Sequence, residues 1–245
     1  MLTISRYFTL YCGIVTFINY VDCSDCAAQS CGRRGECAVH DPQATLVPKP
    51  ETTWIASPNY NLRDVFIDID SIVIHTTEVS LSGTLDIFEN RESGVSAHFV
   101  IAPNGDIYQM VDTKDRAWHA TYYNDRSIGI EMVGYAHQSS TWNENNLDSL
   151  SHLLAWLIQA YPEIPLTHPS GNAYDFVNDR YNETGFVGHS QVQPWNKSDP
   201  GPYFPWNRMM FEVGQIITAS AIPEPSSAAL LLLGAYASLF RGRKR

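Results

Sequence analysis

Short apolar runs between residues 71 and 134 each carry one polar side chain at a position that strict alternation assigns to a face. SIVIHTT (71–77) is β-branched and predicts a strand, in which successive side chains point to opposite faces. His75 then shares a face with Val73 and Thr77, while Ile72 and Ile74 point the other way. AHFVIA (97–102) runs through Pro103-Asn104-Gly105-Asp106 into IYQMV (107–111), a turn between two apolar runs that predicts a hairpin. SIGIEMVG (127–134) predicts another strand, with Glu131 on the face of Gly129 and Val133, opposite Ile128, Ile130 and Met132. The period then changes. Leu147, Leu150, Leu154, Leu157 and Tyr161 follow helical spacing and predict a helix over 143–160, with Thr141 and Glu144 as a capping box and Pro162 and Pro165 ending it. A last helix is predicted from about Trp206 to Ile217. Strands alternating with helices, and no internal repeat, predict a mixed α/β class. The expected architecture is a single domain over residues 50–220, a central mixed β-sheet flanked by helices.

The two ends read differently from this body. Residues 1–22, with Arg6 ahead of an apolar run, have the layout of a signal peptide and are short for a membrane span. Residues 23–49 form a cysteine-containing segment followed by a proline-studded linker. Residues 221–245 begin with Ile222-Pro-Glu-Pro-Ser-Ser after Ala221, continue as an apolar stretch and end in RGRKR. That order of a helix-breaking boundary, a short membrane-seeking run and a basic stop resembles the PEP-CTERM sorting signal, which implies exosortase-type machinery as a partner. It also implies only transient membrane contact, and export to the periplasm or cell envelope of a Gram-negative-type bacterium. The chain has 16 basic and 26 acidic residues, a net charge of −10, and four of those basic residues lie in the final RGRKR. A body this acidic argues against sequence-independent nucleic-acid binding, which needs Lys and Arg to neutralise phosphates. The chain is expected to be a monomer.

All five cysteines precede residue 38. Cys12 lies in the signal-like run, and Cys23, Cys26, Cys31 and Cys37 follow as C-x2-C-x4-C-x5-C. In an exported chain an even set of this kind favours two disulfides over a zinc knot, with three pairings open. Any metal ligands in the main domain must therefore be His, Asp or Glu. His75, His189 in GHSQV (188–192) and Asp199 in NKSDPGPYFPW (196–206) are the ligand types that hold a hydrolytic Zn²⁺ while leaving a fourth place for water. Glu131 is costly to bury unpaired in so apolar a strand. It is either half of a structural salt bridge or a carboxylate with a raised pKa, suited to general-base work. Lys197, two residues before Asp199, projects the same way if that segment is extended, where an ammonium could stabilise an oxyanion. Phe204 and Trp206 are expected to anchor the segment. Trp118 and His119, adjacent in RAWHA (116–120), form a pair suited to a sugar or peptide contact. His98 is structural or pocket-lining, His152 is solvated on its helix, and His40, His137 and His168 carry no signal.

The set IVIHTTE, VSAHFVIAPNGDIYQMV, RAWHA, SIGIEMVG, GHSQV and KSDPGPYFPW resembles the zinc-dependent N-acetylmuramoyl-L-alanine amidases of the Amidase_2 group, relatives of the peptidoglycan recognition proteins, over roughly residues 50–215. The resemblance implies hydrolysis of the amide between N-acetylmuramic acid and L-alanine in peptidoglycan or muropeptides, with one Zn²⁺ per domain. It places the metal ligands on His75, His189 and Asp199, the catalytic carboxylate on Glu131 and the catalytic lysine on Lys197. Some relatives carry a tyrosine where this chain has Ala97, so the Glu131 route is favoured. Two alternatives stand beside it. One is a non-catalytic peptidoglycan-binding module. The other is a zinc carboxypeptidase using His75, Glu78 and His189, which leaves the DPGPYFPW segment unexplained. A serine hydrolase is not supported, because GVSAH (94–98) lacks the second glycine of a nucleophile elbow.

Overall fold

β-Branched and isoleucine side chains on both faces make SIVIHT a strand that must be covered on both sides, and it lies at the heart of the molecule. The computed structural model describes residues 46–221 except 176, 177 and 179. The expected signal peptide, the cysteines and the sorting tail fall outside the described residues. In chain order come β1 (Thr53–Trp54), β2 (Tyr60–Leu62), β3 (Ser71–Thr76), α1 (Leu81–Glu89), β4 (Phe99–Ile101), β5 (Ile107–Gln109), β6 (Asp115–Ala117) and β7 (Ser127–Met132). There follow α2 (Glu144–Ala160), β8 (Tyr174–Asp175), β9 (Arg180–Tyr181), β10 (Gly185–Gly188), the single turn α3 (His189–Val192) and α4 (Trp206–Ser220). The main sheet has the order β1-β5-β4-β7-β3-β10. Only the β4–β5 hairpin pairs antiparallel in it; β3, β7 and β10 run parallel side by side. Two small antiparallel ribbons, β2–β6 and β8–β9, lie apart from it. This is the mixed sheet with flanking helices that the alternating pattern predicts.

The two faces divide as alternation requires. Ile72 and Ile74 of β3 join Ile128, Ile130 and Met132 of β7 in one core with Leu147, Leu150, Leu154 and Leu157 of α2 and Met209 and Val213 of α4. Val73, on the other face, packs with Tyr123, Val187 and Val192. That second face, thinly covered by short elements, is where the polar side chains collect.

Three local details differ from the pattern-based reading. The cap of α2 is Asn143, not Thr141: its side chain accepts from the amides of Asn145 and Asn146, and Asn146 returns a hydrogen bond to the Asn143 amide. Asn143 has the extended backbone of a cap residue, whereas Thr141 closes a 3-10 turn and exchanges hydrogen bonds with the backbone of Tyr135. The helix α1, capped by Ser80, escapes the periodicity because it has only nine residues and includes Gly83. Finally, packing extends into the proline-studded segment. Val47 is buried in the main core and its amide donates to Gln159 Oε1 at 2.6 Å.

Candidate active site

Parallel strands place their ligand-binding residues at their carboxyl ends, and β3, β7 and β10 do so here. His75 is the fifth of six residues in β3 and is paired in register with Glu131 of β7. Parallel partners in register share a face, so the two side chains project together. His189 is the first residue after β10. Asp199 reaches the same place because its carbonyl accepts from the Ser190 amide at 2.8 Å, which ties the segment to the start of α3. Gly201, at φ 84°, lies against the Ala136 backbone where any Cβ would collide. Beyond it Phe204 stacks edge-on with Trp142 and Trp206, as expected of anchors for the loop. His75, Glu131, His189, Lys197 and Asp199 all line one cavity of about 330 Å³, with Val79, Ile87 and Val95 among its apolar lining.

The two histidines and the aspartate converge. His75 Nδ1 is 2.9 Å from His189 Nδ1, and Asp199 Oδ2 is 3.3 Å from the first and 3.1 Å from the second. Ligands at ~2.0–2.1 Å from a tetrahedral ion are spaced ~3.3–3.4 Å apart, close to this triangle. The donor set fits as well. His189 Nε2 lies 2.7 Å from Gln193 Oε1, so that nitrogen carries the proton and Nδ1 presents a lone pair. Two imidazole nitrogens and a carboxylate oxygen, all buried and facing one another, form a set of donors that positive charge would hold together once both nitrogens present lone pairs. Burial, then the neighbouring His189, lowers the His75 pKa to about 4, so a proton on that ring is a poor source of this charge. Burial disfavours the Asp199 carboxylate, but the two imidazoles outweigh it and hold its pKa well below the usual carboxylate range. Among the described residues, this is the group of His, Cys, Asp and Glu suited to hold a metal ion.

Glu131 stands beside the triangle. Its Oε2 is buried and has no hydrogen-bond partner among the described residues. Burial pushes its pKa up to about 8, helped by the negative charges of Asp199 and Glu78 and opposed by Lys197. Among the described residues no salt bridge holds it, so of the two readings of a carboxylate in this strand the structural ion pair is not the one seen there. Lys197 lies at the exposed edge of the same cavity, its backbone amide donating to Gln193 O at 3.0 Å. Glu78 also reaches the cavity, but its Oε1 accepts from Thr76 Oγ1 at 2.7 Å and from the Ala136 amide at 2.8 Å. The ligand atom that meets both Nδ1 atoms belongs to Asp199, and the His75, Glu78, His189 triad of a carboxypeptidase is not assembled.

Trp118 and His119 both border the cavity. Trp118 Nε1 donates to Asn61 Oδ1 at 2.7 Å, fixing its ring on the wall. The His119 ring turns inward, its Nδ1 3.1 Å from His75 Nε2. His98 is fully buried, with Nδ1 accepting from the Gly129 amide and Nε2 donating to Asp115 O. His152 and His137 are exposed, and His168 stacks on Trp206. Gln193 was not legible as a site residue. Its one signal is position, four residues after His189 on a helical turn.

The sequence profile of a family described as N-acetylmuramoyl-L-alanine amidase, Amidase_2, matches residues 66–202. The chain is 29% identical over 159 residues to N-acetylmuramoyl-L-alanine amidase A of Achromobacter lyticus, covering 64% of this chain and 90% of that protein. It is 32% identical over 190 residues to the 1,6-anhydro-N-acetylmuramyl-L-alanine amidase AmpD of Escherichia coli K12, covering 67% and 93%. Among solved structures, a selenomethionine AmpD derivative aligns with TM-score 0.53 at 26% identity, over 68% of this chain and 97% of that one. The Staphylococcus aureus hydrolase AmiA shares the fold, with TM-score 0.52 at 19% identity over 72% and 89%.

Proposed function

The chain belongs to the N-acetylmuramoyl-L-alanine amidase family, and from that premise we propose how its own residues carry out the reaction. The bond cleaved is the amide between the lactyl group of N-acetylmuramic acid and L-alanine of the stem peptide. His75, His189 and Asp199 hold one zinc ion. The observation that carries this is the convergence of three ligand atoms within 3.3 Å of one another on the cavity floor. When bound, the ion supplies the positive charge that polarises a carbonyl and acidifies a water at neutral pH.

The remaining steps belong to side chains. Glu131, with a buried and unpartnered carboxylate oxygen, takes the proton of the attacking water and passes it to the departing alanine nitrogen. Burial raises the pKa of this carboxyl above that of an ordinary one, which favours its holding the proton between the two halves of that shuttle. Lys197, at the cavity edge, offsets the negative charge that develops on the carbonyl oxygen. The Trp118 ring offers a flat apolar face to the sugar or the peptide.

Incubating the purified protein with muropeptides should release peptides with a free L-alanine amino terminus, read by mass spectrometry. A chelator should stop the release and added zinc should restore it. Binding without release would overturn the enzyme reading and leave a recognition module. We further propose that the chain is exported, on the strength of the signal-like residues 1–22 and the Pro-Glu-Pro tail. Fractionation of producing cells should find it outside the cytosol, and cytosolic retention would overturn that.

A further inference from the structure

We propose that His119 is a positioning residue for the metal site: it accepts a hydrogen bond from His75 Nε2 and so holds His75 in the tautomer that leaves Nδ1 free to bind an ion. The inference rests on reading His75, His189 and Asp199 as a metal site. It differs from treating His119 as a substrate contact.

The proton order follows from the far end of a short chain of contacts. Ser127 Oγ is 2.5 Å from Tyr123 O, and a carbonyl can only accept, so the serine proton is spent there. The serine oxygen then offers only lone pairs to His119 Nε2, 3.4 Å away, which must carry a proton to face it. A neutral His119 protonated at Nε2 has a lone pair at Nδ1, and that atom lies 3.1 Å from His75 Nε2. His75 therefore donates from Nε2. Its Nδ1 is left as a lone pair aimed at His189 Nδ1 and Asp199 Oδ2. The reverse order would set two acceptors against each other at Ser127.

The fold is built around the ring in this pose. His119 packs over Gly129 in the middle of β7, a place where a glycine weakens a strand and needs a reason. A Cβ at 129 would lie 2.5 Å from His119 Cγ and 2.7 Å from Nδ1, closer than real contacts allow. The buried His98 ring, which accepts from the Gly129 amide, lies edge-on to His119 with centroids 5.7 Å apart. Asn124 Oδ1 accepts from the amides of both His119 and Ala120, which fixes the backbone that presents the ring. Metal-bound imidazoles commonly donate their second N–H to a carboxylate or carbonyl, and losing that partner typically weakens metal binding by about 10–100-fold. Here a second, neutral imidazole fills the role, so the support adds no negative charge to the site.

Zinc dissociation constants, measured by competition with a chromophoric chelator, test this on wild type, His119→Leu, His119→Asn and Gly129→Ala. Visible spectra of the cobalt-substituted proteins report the ligand geometry, and melting of the metal-free forms reports folding. His119→Leu should weaken zinc binding by about 10–100-fold and alter the cobalt spectrum. Asn places an amide oxygen near the Nδ1 position, so His119→Asn should recover most of the affinity. Gly129→Ala should weaken zinc binding without touching any ligand. Wild-type zinc affinity and spectrum in His119→Leu, with the loss confined to KM for muropeptide, would overturn the proposal in favour of a substrate contact. A wild-type protein that takes up no zinc would overturn the metal reading itself, a distinct result.

Discussion

At the scale of single residues, Glu131 shows how a site residue sets itself against the stability of its own fold. In the unfolded chain its carboxyl titrates near 4.5, but burial beside Asp199 raises the folded value to about 8. Between these values the folded state keeps a proton that the unfolded state releases, so stability falls as pH rises through the window. Glu131→Gln removes the penalty. The metal-free variant should be more stable than metal-free wild type at pH 8, on the order of 1–3 kcal/mol, with the difference gone at pH 4. Its turnover should fall by about 10²–10⁴-fold. Thermal denaturation at both pH values, beside kcat, checks the pair of effects; equal melting at pH 8 would mean the carboxylate is better solvated than its burial implies. His75 and Glu131 were legible because a period of two assigns each to a face, whatever the tertiary structure. The contact between His119 and His75, 44 positions apart, was not, since no periodicity links a loop to a strand. Asp199 and Lys197 lie in irregular chain, where residue type and spacing made them candidates and only the resemblance of their motif gave them roles.

At the scale of elements, the strands of the site follow from composition, while the helix ends depend on which polar side chain is free to cap. Leu147, Leu150, Leu154 and Leu157 fix α2, yet its start, expected as a capping box of Thr141 and Glu144, lies at Asn143. The extended backbone at Asn143 and its reciprocal bonds with Asn146 decide the matter. Asn143→Ala should therefore lower stability by about 1 kcal/mol, seen as a reduced denaturation midpoint with unchanged kcat. Thr141→Ala should act differently. It frees the backbone of Tyr135, in the loop whose Ala136 amide holds Glu78, so its effect should show in activity as well as stability. If the two variants lose stability equally and neither loses activity, the loop is not coupled to the site. The helix α1 supplies Ile87 and Phe88 to the cavity wall, yet nine residues with an internal glycine leave too weak a period to read in advance.

At the scale of the whole molecule, every site residue lies between 75 and 199, and the sheet, α2 and α4 that support them lie within the described residues. A form comprising residues 46–221 keeps all of these and is the reference for shorter ones. Cutting further, to residue 52, should not be neutral. It removes Val47 from the main core, its hydrogen bond to Gln159 of α2, and the one from Lys49 Nζ to Gln109 Oε1 of β5. Burial of a valine contributes about 1.5–3 kcal/mol, so the shorter form should unfold several degrees earlier while keeping its turnover at low temperature. Equal melting of the two truncated forms would show that this strap is not part of the folded unit. ATLVPKPE looks like a linker because prolines and a lone valine give no period. Among its described residues, the buried Val47 side chain, its amide's bond to Gln159, and Lys49 reaching Gln109 and the face of Trp156 join it to the domain, and contacts of that kind depend on where the rest of the chain places α2 and β5.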